Sequence, residues 1–292
     1  MKPFDKPHAI RGAFDDPRYH LGAEGSLSAF HFGVDIVARD GTPVYAVEPG
    51  YVHAHRTDVT VETRTARSFG YWHIRPVVHT GKRVRRHQLL GYVLKGWGHV
   101  HFAEAIGGQY RNPLRPRALT PYFDRKPPTV ASIALFADDG SPLSAGGVRG
   151  LVDVDAQIYD TPQIAPPPPW QFARLTPAIV WWRLTRNGIP LSDWNLSFDF
   201  HYALMPSSLY GWVYAPGTFQ NKGNRPGGYF FWITHDLDTT LLGDGRYRIE
   251  VLAEDTRGNI GTGGLDFTVA NGEPPIPPGL APGMQMRLAR PT

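Results

Sequence analysis

The sequence consists of short apolar runs separated by glycine and proline, and this punctuation limits the possible folds most strongly. The 32 Gly and 28 Pro together make up 60 of the 292 residues. Glycine weakens helices through backbone entropy, and proline removes a backbone donor, so both favour turns. The runs between them are short and β-prone, with little helical periodicity. The chain is therefore predicted to be all-β.

The runs fall into two groups on either side of a charged, proline-bearing joint at residues 124–128. The first group predicts a compact antiparallel β-sheet or barrel-like domain over residues 1–124, with strands at 34–38, 44–47, 51–55, 59–63, 89–93 and 99–103. The second group predicts an immunoglobulin-like β-sandwich over residues 128–272, with strands at 132–136, 151–156, 179–184, 229–233, 247–253 and 265–269. Residues 273–292 are proline-rich and are predicted to be a disordered tail.

The two halves also differ in charge. Residues 1–127 contain 19 Lys and Arg against 11 Asp and Glu, a net charge of +8, whereas residues 128–292 contain 11 against 15, a net charge of −4. Ten of the 12 His precede residue 102. The first half is therefore the expected place for chemistry, and its charge favours an anionic partner such as a wall polymer, a nucleic acid or a membrane surface.

The absence of cysteine excludes several kinds of site. A chain with no Cys has no disulfide scaffold, no thiolate nucleophile and no Cys-ligated zinc or iron–sulfur centre. A metal would need His, Asp or Glu ligands. No apolar run approaches the ~18 residues of a membrane span, and the first residues lack the apolar core of a secretory signal.

Three histidine-containing patterns are candidates for a metal site. His31 and Asp35 stand four residues apart, and both side chains are good zinc ligands, although this spacing is common by chance. His99 and His101 are two residues apart on a predicted strand, which places both imidazoles on one face. His73 follows two aromatic residues, a setting more often found for a core histidine.

Taken in order, these patterns resemble the lysostaphin-type (LytM-like) zinc metallopeptidases, which are peptidoglycan endopeptidases. The segment 31–46, HFGVDIVARDGTPVYA, is similar to the family's HxGxD stretch and its continuation. The segment 98–104, GHVHFAE, is similar to its GxHLHFE strand, and Asn112-Pro113 to the NP that follows. The resemblance covers residues 10–122. It implies a peptidase domain followed by the β-sandwich.

The resemblance also implies a role for each site residue. His31, Asp35 and His101 match the zinc ligands, and His73 and His99 match the two histidines that polarise water and stabilise the transition state. Three protein ligands leave a position for water, as in catalytic zinc sites. The segments 55–68 and 95–98 depart from the family pattern where the substrate groove is expected.

The function predicted from this resemblance is zinc-dependent cleavage of peptidoglycan stem peptides or cross-bridges. The implied cofactor is Zn²⁺, the partner is a peptidoglycan peptide rather than a nucleic acid, and the location is extracellular or in the cell envelope. Two alternatives stay open: a non-catalytic member that binds wall peptide or a partner protein, and a zinc peptidase for another peptide. Because all five site residues precede residue 102, residues 1–127 alone are expected to hold the metal.

Three other features have an ordinary structural interpretation. The six Trp after residue 128 are expected mainly to fill a sandwich core rather than to bind sugars. Asp153, Asp155 and Asp160 are expected on a solvated strand face rather than in a calcium site. The basic run at residues 82–86 is expected to be a solvated hairpin.

Overall fold

The computed structural model describes residues 6–22 and 25–272. Their regular structure is almost entirely β, with one short helix, Tyr210–Val213, and two single 3₁₀ turns, so the all-β prediction is confirmed. None of the described helices is long and apolar enough to cross a membrane. The predicted tail, 273–292, lies outside the described residues.

The first part of the chain contains thirteen strands. They are β1 (Ile10–Gly12), β2 (Pro17–Gly22), β3 (Gly25–Phe30), β4 (Val34–Val37), β5 (Pro43–Tyr45), β6 (Gly50–Ala54), β7 (Asp58–Glu62), β8 (Arg67–Trp72), β9 (Ile74–Pro76), β10 (Arg83–Val84), β11 (Leu89–Val93), β12 (His99–Ile106) and β13 (Gln109–Arg111). Each of the six strands predicted here overlaps an observed one. The strand β8 was not predicted, because Arg67, Ser68 and Gly70 interrupt its apolar pattern.

These strands form three antiparallel sheets. The largest has eight strands in the order β1-β4-β12-β8-β7-β6-β10, with β13 also paired to β12. A three-stranded sheet has the order β5-β11-β9, and β2 and β3 form a hairpin. The strand β12 lies inside the large sheet and is buried at seven of its eight positions, so a polar side chain on this strand is shielded from bulk water.

The second part of the chain contains ten strands. They are β14 (Thr129–Ala137), β15 (Pro142–Leu143), β16 (Gly146–Val148), β17 (Leu151–Tyr159), β18 (Ile179–Arg186), β19 (Ile189–Pro190), β20 (Asn195–Asp199), β21 (Phe230–Asp238), β22 (Gly245–Glu254) and β23 (Ile260–Val269). Each of the six strands predicted here overlaps one of them.

Two sheets of the second part share one hydrophobic core. One has the order β15-β14-β17-β21, and the other has the order β16-β23-β22-β18-β19 with β20 beside β18. Alternate residues of β22 are buried, among them Ile249, Val251 and Ala253, and they pack with Val154 and Phe231 of the facing sheet. This period of two is the pattern expected when one face of a strand covers a core. The immunoglobulin-like character of the unit stays a prediction.

The two parts are joined by buried contacts as well as by the joint at residues 124–128. The backbone N–H of Thr176 donates to the Asp16 carboxylate at 3.0 Å, and the Tyr214 hydroxyl donates to the Asp15 carbonyl at 2.7 Å. Phe30, at the end of β3, packs into the core of the second part, with its ring 5.8 Å from that of Phe200. The turn at residues 13–16 is therefore held from both sides.

Candidate metal centre

The strand β12 presents two histidines and two apolar residues to opposite sides. Val100 and Phe102 belong to the hydrophobic core of the first part. His99 and His101 lie on the other face, where they line a cavity of about 350 Å³. The two imidazoles are only 3% and 5% exposed. The alternation predicted from the H-x-H spacing is thus present, and both imidazole rings point into the same cavity.

The strand register brings the predicted ligands together. Asp35 of β4 is paired directly with His101 of β12, and on the other side His101 is paired with Trp72, the last residue of β8. His31 lies just before β4, four residues from Asp35. His73 follows Trp72 immediately. All five predicted site residues therefore meet at the ends of three neighbouring strands.

Three atoms converge as the ligands of a single ion would. His31 Nε2 and His101 Nδ1 are 2.8 Å apart, and Asp35 Oδ1 is 3.3 Å from each of them. Tetrahedral ligands at about 2.0–2.1 Å from zinc lie about 3.3–3.4 Å from one another. The residues His31, Asp35 and His101 thus form a buried group that could hold a metal ion.

The hydrogen bonds behind this group show which atoms are bare. His31 Nδ1 is 2.6 Å from the Ala13 carbonyl oxygen, which only accepts, and 3.0 Å from Arg18 Nη2, which only donates; the shorter contact favours the hydrogen on this nitrogen. A neutral His31 then presents the lone pair of Nε2 to the Asp35 carboxylate. Two acceptors facing each other in a buried site repel unless a cation lies between them. This donor set fits a divalent metal, and a backbone acceptor behind a ligand imidazole is the usual supporting arrangement.

Burial keeps the ligand imidazoles neutral. It lowers the pKa of His31 to about 3, with Arg18 adding to the effect and Asp35 opposing it. Burial likewise lowers the pKa of His101. Neutral imidazole is the form that binds a metal.

Arg18 positions the carboxylate ligand. Its guanidinium donates to Asp35 Oδ2 at 2.9 Å, which leaves Oδ1 facing the two ligand histidines. Burial alone would raise the pKa of Asp35, but His31 and Arg18 together hold it well below its ordinary value. Asp35 is therefore ionised at neutral pH and ready to ligate.

Two glycines leave the space that the ligands occupy. A β-carbon on Gly33 would lie 2.5 Å from the Phe102 carbonyl and 2.7 Å from His101 Nε2. A β-carbon on Gly12 would lie 2.5 Å from Arg18 Nη2 and 2.7 Å from Asp35 Oδ2. At Gly33 the clash is with backbone, so this position requires glycine for steric reasons, whereas a side chain at Gly12 would displace the ends of Arg18 and Asp35.

The two remaining histidines lie beside the ligands. His99 Nδ1 donates to the Trp97 carbonyl at 2.8 Å, and His99 Nε2 is 3.5 Å from Asp35 Oδ1. The His73 ring is stacked on that of Trp97, with centroids 3.6 Å apart, and lies 4.6 Å from the ring of His99. Burial, followed by His99, lowers the pKa of His73 to about 3, so this ring is also neutral at physiological pH.

The cavity has walls from both parts of the chain. Arg11, Trp72 and Trp97 line it from the first part, and Trp170 and Gln220 line it from the second. Sequence reasoning did not identify Arg11, Arg18 or Trp170 as cavity residues. Arg18 lies upstream of the matching motifs, and Trp170 is separated from the ligand candidates by a long stretch of chain, so no local spacing signal pointed to either.

One expectation about the second part needs correction. Asp155 and Asp160 are buried rather than solvated, at 8% and 4% exposure. Asp160 lies in a group of three carboxylates with Asp124 and Asp255, whose oxygens are within 4.8 Å of one another. Of the six tryptophans, Trp182 is fully buried and Trp212 is 49% exposed. Packing around the joint, which a strand pattern does not reveal, buries Asp160, whereas Asp155 lies within β17 between Ala134 of β14 and Trp232 of β21.

Comparison with known proteins gives a family match within the first part of the chain. Residues 29–113 match the sequence model of peptidase family M23. No curated protein is significantly similar to the chain. Among solved structures, a catalytic-domain variant of the prophage-encoded M23 protein EnpA from Enterococcus faecalis is 26% identical, with 39% of this chain and 95% of that chain covered and a TM-score of 0.31.

Two other solved structures show similar coverage. The SpoIIQ–SpoIIIAH pore-forming complex is 22% identical, with 39% of this chain and 87% of that one covered and a TM-score of 0.33. The M23 metalloprotease pseudoalterin, described as from the deep sea, is 17% identical, with coverages of 44% and 80% and a TM-score of 0.29. The matched segment, 29–113, contains all five predicted site residues, so the resemblance to the LytM-like peptidases of family M23 is confirmed for this part of the chain.

Proposed function

We propose that the protein is a zinc-dependent endopeptidase that hydrolyses peptide bonds in the stem peptides or cross-bridges of peptidoglycan, outside the cell or in its envelope. The observation that carries the proposal is the convergence of His31 Nε2, Asp35 Oδ1 and His101 Nδ1 in a buried group that lines a cavity. Membership of family M23 supports the reaction class. The net charge of +8 on residues 1–127 suits an anionic wall polymer.

The proposed ligands are His31, Asp35 and His101. Zinc bound there would supply a Lewis acid and lower the pKa of a coordinated water toward ~7. The chain itself holds the ligands in place: the Ala13 carbonyl fixes the tautomer of His31, and Arg18 fixes the orientation of Asp35. The site is thus preorganised for binding and needs little rearrangement.

His99 and His73 are proposed to handle protons and charge. His99 Nε2 faces Asp35, and the Nδ1 hydrogen is held by the Trp97 carbonyl. In this proposal His99 would accept the proton of the attacking water and return it to the leaving amine. His73, whose stacking on Trp97 restrains its ring, is placed to donate a hydrogen bond to the developing oxyanion.

Measuring the zinc content tests the proposed ligands, and measuring turnover tests the proposed roles of His73 and His99. The full chain is expected to bind one zinc and to cleave purified peptidoglycan or synthetic stem and cross-bridge peptides. His101→Ala should lose most of the zinc, because one of three protein ligands is gone. His79→Ala, a change at an exposed histidine in a turn, is the matched control and should keep both zinc and turnover.

The variants His73→Ala and His99→Ala are expected to keep zinc but to lose about 100-fold or more in turnover. Elemental analysis and product analysis by mass spectrometry provide the two readouts. Stoichiometric zinc in His101→Ala would contradict the ligand assignment. A zinc-loaded wild type that binds wall peptide without cleaving any substrate would support the non-catalytic alternative instead.

A further inference from the structure

Arg11 extends from the edge strand β1 into the cavity. Its guanidinium lies over the ring of Trp170, 4.1 Å from the ring centre. Its Nη2 is 3.5 Å from His99 Nε2, which is too long for a strong hydrogen bond but places the cation beside the candidate metal centre. A residue of the first part and a residue of the second thus form one wall of the cavity.

The cavity contains two cations but provides a carboxylate for only one of them. Among its described lining residues, Asp35 is the only acidic side chain. Asp35 Oδ2 is bound by Arg18 at 2.9 Å, and its Oδ1 faces the ligand histidines. No described carboxylate lies within 4.0 Å of the Arg11 guanidinium. Arg11 is therefore the unmatched charge of the cavity.

An unmatched, partly desolvated guanidinium is a costly arrangement, which suggests that a ligand supplies the missing charge. Burial lowers the pKa of Arg11, but a guanidinium stays protonated in proteins. Its planar N–H groups match a carboxylate with two parallel hydrogen bonds. Stacking on Trp170 occupies one face of the group and leaves its edges for such a partner.

We propose that Arg11, supported by Trp170, binds a carboxylate of the substrate that lies within about one residue of the scissile bond. The distance fixes this spacing, because the guanidinium is next to His99 and His99 is next to Asp35. The proposal rests on the proposed peptidase function and narrows its substrate class. The carboxylate has two chemical sources: the free C-terminus of a short peptide, or a carboxyl branch on a residue beside the cleaved bond.

Matched peptides distinguish these sources. One pair differs only in a C-terminal carboxylate or carboxamide, and a second pair differs only in Glu or Gln beside the cleaved bond. The zinc-loaded full chain should prefer the carboxylate form of one pair by about tenfold or more in kcat/KM. Arg11→Met should reduce that ratio to about one, mainly through KM, and Arg11→Lys should restore part of it.

Arg75→Met is the matched control, since Arg75 also lies over an aromatic ring, that of Tyr92, but outside the cavity. This variant should keep the wild-type ratio. If no peptide is cleaved, the same pairs are compared by equilibrium titration of tryptophan fluorescence, with the same ratios expected. Failure of cleavage alone counts against the peptidase function. A wild type without preference, or an Arg11→Met variant that retains it, overturns the role of Arg11.

Discussion

At the scale of single residues, the centre depends on small side chains as much as on its ligands. Three short motifs taken in order, through their resemblance to the lysostaphin-type family, nominated His31, Asp35, His73, His99 and His101, whereas the spacing of each motif alone was weak. Spacing did not nominate Arg18 as the partner of Asp35, or the Ala13 carbonyl as the acceptor for His31. These contacts depend on how residues 13–18 fold against the start of β4, which no periodicity in the sequence records.

Gly33→Ala is predicted to weaken zinc binding by at least about tenfold. The new methyl group would lie 2.7 Å from His101 Nε2 and 2.5 Å from the Phe102 carbonyl, so β12 or the ligand ring must move. Small displacements of supporting groups have effects of this size at metal sites. Competition with a chromogenic chelator measures the affinity.

Gly211→Ala is the control, because Gly211 has no positive φ and open space around its α-carbon. It should bind zinc as the wild type does. Unchanged affinity in Gly33→Ala would mean that the strand gives way without disturbing the ligands, contrary to the steric argument.

At the scale of elements, strand positions followed from the sequence more readily than the contacts between strands. The apolar runs located β4, β12 and β22, whereas β8, whose last residue precedes His73, is interrupted by Gly70. The joint was located from its prolines and charges. The meeting of Asp124 with the ends of β17 and β22 at Asp160 and Asp255 could not be inferred, since it depends on how distant segments pack.

This carboxylate group is predicted to make stability depend on pH. Burial, and then the nearby Asp124, raises the pKa of Asp160 to about 8, against an ordinary value of 3.8. Between these two pH values the folded state binds more protons than the unfolded chain. The free energy of unfolding therefore falls as pH rises through about 8, and the stabilising contribution is complete only below about 4.

Asp160→Asn should remove this dependence and raise Tm by several degrees at pH 8–9, with a smaller effect at pH 5. Asp138→Asn, at an exposed turn, should leave the pH profile of Tm unchanged. Thermal unfolding across pH 5–9, in the presence of a chelator, measures both. Equal Tm shifts for Asp160→Asn at pH 5 and pH 9 would show that the charge of Asp160 is not the cause.

At the scale of the whole molecule, the centre belongs to both parts of the chain, although its ligands come from one. All five site residues precede residue 102, from which the sequence predicts that residues 1–127 alone can hold the metal. The contacts between the two parts of the chain indicate that the metal centre is supported by both of them. The turn that accepts from His31 Nδ1 through Ala13 is itself held by Thr176 and Tyr214 of the second part.

Residues 1–127 expressed alone are predicted to bind zinc at least about tenfold more weakly than the full chain and to unfold at a lower temperature. Without the second part, Asp15 and Asp16 lose hydrogen bonds from Met205, Tyr214 and Thr176. Phe30 would also lose the aromatic rings that bury it. A buried ligand whose supporting turn is free to move has less preorganisation, and metal affinity falls accordingly.

A milder change tests the same link in the full chain. Tyr214→Phe removes the hydroxyl that donates to the Asp15 carbonyl but keeps the ring that packs on Phe30. It should weaken zinc binding slightly, by a factor of a few, whereas Tyr202→Phe, at an exposed ring, should not. Chelator competition measures the zinc affinity of both variants and of residues 1–127, and these affinities are expected to decrease from Tyr202→Phe to Tyr214→Phe to residues 1–127. If residues 1–127 match the full chain in zinc affinity and thermal stability, the second part contributes to the cavity wall through Trp170 but does not support the metal centre.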